Sequence, residues 1–246
     1  MTALAELGLG VVEALAAGGT GRVVGVYRKA AYLRVPGGLI ALTTREAPAG
    51  PLHLRADVEP ARLRVGDRVV VTPSWLEVGP VLVDLRGATT WRGELPPPGL
   101  LRGIGPLRYH FRELNAVRRG DLAGLAAQLG GRGPGLTPEG DDVLAGILIA
   151  AYVRWGHVDE SVVAHARTND VSVAYLRWAA RGQSIQPVHD YVTGAGPLEA
   201  VLAYGHTSGA ALAAGLCAAL IHLPSRTGPP ANGRLRPARA SRPAHG

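Results

Sequence analysis

Pro96-Pro97-Pro98-Gly99 divides this sequence into two parts with different periodicities. Three consecutive prolines offer no N–H to a sheet ladder, so the stretch reads as a linker. Before it, short apolar runs rich in β-branched residues alternate with Gly and Pro, the pattern of short strands joined by tight turns. Strands are expected at residues 22–27, 31–35, 39–44, 52–55, 68–72, 76–78 and 81–85. After the prolines, apolar residues recur at steps of three and four, and the expectation changes to helices. Asp121 caps a segment at 122–129; further helices are expected at 138–155, 159–165, 171–181 with Gly182 just beyond, 187–192, 198–204 and 208–223. The fold class is therefore α+β. Residues 1–95 form a β-rich domain like a small barrel or sandwich, 96–99 a linker, 100–223 an all-helical domain, and 224–246 a disordered basic tail.

Composition excludes several functions. Hydrophobic residues make up 47% of the 246, enough for a real core. One cysteine leaves no disulfide framework or cysteine metal cluster, and points to a cytoplasmic protein. No export signal is expected at the start of the chain, and no apolar run is long enough for a membrane span. The net charge of +7 suggests nucleic acid, but Arg226, Arg234, Arg236, Arg239 and Arg242 carry most of it. Without these five the rest has 21 basic against 19 acidic residues, so nucleic acid is not the expected partner.

Chemistry concentrates in two glycine-framed loops, each running into a helix. The first is Gly131-Arg-Gly-Pro-Gly-Leu-Thr-Pro-Glu-Gly-Asp-Asp-Val-Leu-Ala-Gly146. Glycines tolerate positive φ and close approach of a ligand. Thr137 suits an N-cap and Pro138 a first helical position, so the following N–H groups form a natural anion site. Gly133, Gly135, Leu136, Thr137 and Gly140 are the expected anion-binding residues. Asp141 and Asp142 lie in the first turn. Beside a phosphoryl group they would need a cation between, which makes both tentative Mg²⁺ ligands as well as catalytic candidates. Acidic residues at a helix start also have a plain electrostatic reason to be there. The second loop, Tyr204-Gly-His-Thr-Ser-Gly209, repeats the arrangement. Gly205, Thr207, Ser208 and Gly209 join the anion-binding set. His206, as a possible general acid or base, joins the catalytic one, with packing or capping as its alternative role. If the two loops face each other, they form one anion pocket.

Together, Gly135-Leu-Thr-Pro-Glu-Gly-Asp-Asp142 and Gly205-His-Thr-Ser-Gly209 resemble the signatures of the bacterial family that contains the AllH-type subunit of oxamate carbamoyltransferase. The polar stretch 168–172 and the end of the β region at Ala88-Thr-Thr-Trp91 are also similar. Glu139 stands where that family usually has serine. The resemblance implies a place in purine or allantoin catabolism, in a multi-subunit enzyme converting oxalurate and phosphate to oxamate and carbamoyl phosphate. It implies a small anionic substrate and further protein subunits as partners. Two function classes remain open: a transferase or transferase subunit, and a non-catalytic ligand-binding partner subunit acting on a different anion. Assays with and without partner chains separate them.

Overall fold

Nine strands of the computed structural model, which describes residues 4–96 and 113–225, form one sheet. The strands are β1 (Glu6–Gly8), β2 (Gly19–Val26), β3 (Ala30–Val35), β4 (Gly38–Thr43), β5 (His53–Arg55), β6 (Arg68–Val71), β7 (Trp75–Val78), β8 (Val81–Asp84) and β9 (Thr89–Trp91). Helix α1 (Leu9–Ala16) interrupts them after β1. Spatial order is β8-β7-β6-β2-β3-β4-β5-β1-β9, so the sheet is open, with β8 and β9 at its edges. It curls into a half-barrel rather than two facing sheets. Most neighbours are antiparallel, but β4–β5 and β1–β9 are parallel. The seven expected strands are all present. β1, α1 and β9 were not anticipated: three residues per strand are too few to show a period of two.

Alternation along the strands sorts side chains to two faces. In β3, Ala31, Leu33 and Val35 enter the sheet's own core with Ile40, Leu42, Leu54, Val69 and Leu76. Tyr32 and Arg34 take the opposite face. β4 is buried on both faces: Leu39 leaves the sheet core and joins Leu52, Val171 and Trp178 in a separate apolar cluster. That cluster glues the sheet to the helices.

The helical part contains α2 (Leu114–Arg119), α3 (Leu122–Leu129), α4 (Glu139–Trp155), α5 (Asp170–Ala180), α6 (Gln186–Thr193), α7 (Leu198–Leu202) and α8 (Ser208–His222). The segment expected as a helix at 159–165 is a 3-10 helix, Glu160–His165. Asp121 caps α3 as expected, accepting from the Gly124 N–H at 2.9 Å. The linker residues 97–99, the start of the expected helical domain and the tail from 226 lie outside the described residues.

α4 is apolar around nearly its whole circumference, as a central helix must be. It runs beside α8 at very short range. A methyl group added at Gly146 would lie 2.2 Å from the Leu212 carbonyl oxygen, and one at Gly215 would lie 2.0 Å from that of Val143. The two helices can approach this closely only because glycine stands on both sides. They run in the same direction, so their N-termini emerge together.

Candidate functional site

The first glycine loop folds back over the start of α4. Gly131, Gly133 and Gly135 all have positive φ, at 73°, 113° and 99°. The Gly140 N–H donates to the Arg132 carbonyl at 2.8 Å, and those of Asp141 and Asp142 to the Pro138 carbonyl. The helix begins at Glu139, with Pro138 at the N-cap and no side-chain cap. Thr137 therefore does not cap it, and the loop itself takes N–H groups that the sequence suggested for an anion.

The adjacent aspartates point different ways. Asp141 is buried, at 3% exposure. Its Oδ1 accepts from the Gly131 N–H at 2.8 Å and its Oδ2 from the Thr168 hydroxyl. Both oxygens thus lock the loop to the junction before α5. The same junction holds Leu136: its carbonyl accepts from Asn169 Nδ2 at 2.8 Å and Ser172 Oγ at 3.3 Å, while Asn169 Oδ1 caps α5.

Asp142 instead faces a cavity of about 230 Å³ between the sheet and the helices, with Thr137, Ser208, Tyr32, Tyr175, Tyr204 and Gly205 on its walls. Its Oδ2 is buried without a hydrogen-bond partner. Burial pushes this carboxyl up to about 7; Asp141 and Glu139 push the same way, while the Ser208 side chain pulls it back. Helix capping would have the opposite effect, so Asp142 is not a simple dipole partner.

The three tyrosines come from β3, α5 and the end of α7. Burial raises all three hydroxyls above their ordinary value, leaving them neutral donors at physiological pH. Behind them lies His53 of β5. Its Nδ1 is 2.8 Å from the Pro48 carbonyl, which can only accept, so Nδ1 carries the proton. Nε2, 3.3 Å from the Tyr175 hydroxyl, must then accept from it. Burial lowers the imidazole's affinity for a second proton and keeps the ring neutral. With its hydrogen directed to His53, Tyr175 presents its oxygen to the Tyr32 hydroxyl.

A larger cavity of about 730 Å³ adjoins the first through Tyr32, Tyr204 and Gly205, and its walls include Arg28, Lys29, Glu46, His53 and His206. His206 and Thr207 are exposed. Thr207 occupies the N-cap position of α8 but makes no capping bond. Gly209 is packed against α7, where an added methyl would lie 2.1 Å from the Val201 carbonyl oxygen.

Thr137, Asp142, Gly205 and Ser208 thus meet on one cavity, and His206 lies at the wider mouth. Gly133, Gly135, Gly140 and Asp141 form the framework beneath. Among the described residues, no three His, Cys, Asp or Glu side chains converge as a metal centre. Sequence reasoning missed Tyr32, Tyr175 and His53. The alternation of β3 could have flagged Tyr32 as leaving the sheet core, but nothing local pairs it with a helix 143 residues away.

Two family models match the chain, one over the helices and one over the sheet. The model described as oxamate carbamoyltransferase subunit AllH matches residues 129–220, and that of the AllH family N-terminal domain matches residues 5–90. The chain belongs to the AllH family. No solved structure matches it.

Proposed function

We propose that this chain binds a small carbamoyl-bearing anion in the cleft between sheet and helices, as a subunit of a carbamoyl-transferring enzyme. The reaction is oxalurate plus phosphate giving oxamate plus carbamoyl phosphate. One observation carries the reading: Asp142, with an unpartnered buried oxygen and a carboxyl at about 7, faces the cavity where both helix starts meet. A group titrating near the working pH can both give and take a proton. A phosphate oxygen attacks the carbamoyl carbon, the bond from that carbon to the oxamate nitrogen breaks, and Asp142 gives its proton to that nitrogen. Tyr204 and Thr137 donate to the carbamoyl oxygen as charge gathers there, while Ser208 stays on Asp142. His206, at the mouth, contacts the anionic end. Gly133, Gly135, Leu136, Thr137, Gly140, Gly205, Thr207 and Gly209 shape the two loops.

Magnesium has a narrower place. Asp141 has both oxygens engaged, so Asp142 is the member of the pair open to an ion. Mg²⁺ is often held by one carboxylate plus substrate phosphates, so an ion arriving with phosphate would take Asp142 in its ionised form, before the proton that it later gives is taken up. Phosphate binding measured with and without Mg²⁺ tests this. The reducing cytoplasm suits a chain with one buried free cysteine, and none of its described helices is long and apolar enough to cross a membrane.

The family's description as a subunit also favours a second reading, in which this chain binds ligand and other chains do the chemistry. Phosphate-dependent cleavage of oxalurate, assayed with the chain alone and with its partner subunits, separates the two. Activity lost on Asp142→Asn supports the first. Full activity of that variant in the assembled enzyme moves the chemistry elsewhere, and no turnover in any mixture removes carbamoyl transfer.

A further inference from the structure

We infer that the cleft sorts its ligand by charge: the inner cavity takes an uncharged carboxamide or ureido end, and the outer cavity takes the anionic end. This deepens the carbamoyl reading above and rests on it for the ligand's class. Size comes first. At about 230 Å³ the inner cavity falls below the roughly 300–1,000 Å³ usual for whole small ligands, so it suits one end of a molecule. The outer one, about 730 Å³ and sharing Tyr32, Tyr204 and Gly205 with it, has room for the rest.

The linings differ in chemistry. Among the described residues, no Arg or Lys lines the inner cavity, whose walls include Pro51, Ala145, Ala179, Ile185 and Leu212. An anion entering there by itself would be desolvated beside Asp142, with no cationic side chain among the described residues to meet it. What the inner cavity offers is an acceptor, the unpartnered Asp142 Oδ2, and donors from the Tyr204 and Thr137 hydroxyls, the Ser208 hydroxyl being turned to Asp142. Gln183 also lines it, but its amide is held by the backbone of Gly93 at 3.0 and 3.1 Å. Acceptor and donors side by side match the N–H and C=O of a carboxamide. The outer lining carries Arg28 and Lys29 against one carboxylate, Glu46, with His206 beside them. A carboxylate or phosphate is the ligand group those cations recognise.

Binding of small probes to the full chain, followed by calorimetry and by tyrosine ring shifts in NMR spectra, tests the sorting. The probes are N-methylurea, N-carbamoylglycine, acetate and methylguanidinium. N-carbamoylglycine, which has both ends, should bind about tenfold or more tightly than N-methylurea or acetate. Arg28→Ala with Lys29→Ala should remove that advantage and leave N-methylurea unchanged. Asp142→Asn should weaken N-methylurea about tenfold. Tyr204→Phe should weaken it also and leave acetate alone, so the test survives if one variant misfolds. The sorting is overturned if methylguanidinium outcompetes N-methylurea, if the outer double variant weakens N-methylurea equally, or if neither inner variant affects it. These are binding measurements on the chain by itself. Lost oxalurate turnover with the binding pattern intact breaks only the transferase reading; the reverse breaks only the sorting.

Discussion

The two helix starts look alike in sequence and do different work. At α4, the loop, the Thr168–Ser172 junction and Asp141 tie one another down, and the N–H of Gly140 is taken by the Arg132 carbonyl. At α8, Thr207 caps nothing and stands exposed with His206. The first is a frame, the second an open rim. The difference runs down to single residues: Asp141 has both oxygens satisfied, while Asp142 keeps one buried and bare. A glycine loop before a helix therefore does not announce an anion site. At α8 too the chain takes its own N–H groups, that of Gly209 going to the Tyr204 carbonyl at 2.8 Å, so the difference between the two starts lies in their side chains.

This contrast can be broken most forcefully at Asp142. In the assembled enzyme, Asp142→Asn should lower kcat on the order of 10²–10⁴-fold, as expected for a lost proton donor. The same change should stabilise the fold. The carboxyl's affinity for protons is raised from 3.8 to about 7 by folding, so between those values the folded state holds more protons than the unfolded one. Its contribution is full below pH 3.8 and is lost as pH rises through about 7. At pH 8 the variant should gain about 2–4 kcal/mol in urea denaturation, less at pH 5. A destabilised variant would mean that Asp142 belongs to the frame.

Asp141→Ala tests the other member. It strips the Gly131 N–H and the Thr168 hydroxyl of their partner and should cost about 3 kcal/mol by denaturant titration. A loss below about 0.5 kcal/mol would show that the loop holds without it. Next in size, Gly146→Ala should cost about 1–3 kcal/mol, because its methyl meets the α8 backbone rather than a movable side chain.

Acid tests the joint between sheet and helices. His53 and His189 are both buried and held below their ordinary 6.5 by desolvation. His189 faces the Glu94 carbonyl at 2.8 Å through Nδ1 and accepts from the Ser184 N–H at 3.0 Å through Nε2, so it too is fixed as a neutral ring. Below pH 6.5 the unfolded chain takes up protons first, and stability falls as pH falls. His189→Gln should flatten that acid limb in thermal melts recorded between pH 7 and 5, and an unchanged limb would remove His189 as a cause. The smallest effect is expected at Thr207: Thr207→Ala should change stability by less than about 0.5 kcal/mol, since no cap is lost.

Much of this was legible in the residues. The change of periodicity at the prolines separated strands from helices, because periods of two and 3.6 are local properties. Asp121 and Gly182 bound their helices where capping chemistry put them. Where the pattern was too short, as in β1 and β9, nothing could be read. The capping role suggested for Thr137 failed because a cap depends on where the preceding loop goes, and at α4 the loop turns back on itself.

By itself, then, the sequence determined the α+β order, the two glycine-framed loops and the residues in them. Tertiary structure alone decided which aspartate faces the cavity. Asp141 and Asp142 are neighbours with the same side chain, and a helix rotates each residue about 100° from the last. That rotation directs one carboxyl to the Thr168 junction and the other to a cavity closed by Tyr32 from a strand more than a hundred residues away. Burial, and with it a carboxyl at about 7, exists only once those distant surfaces meet.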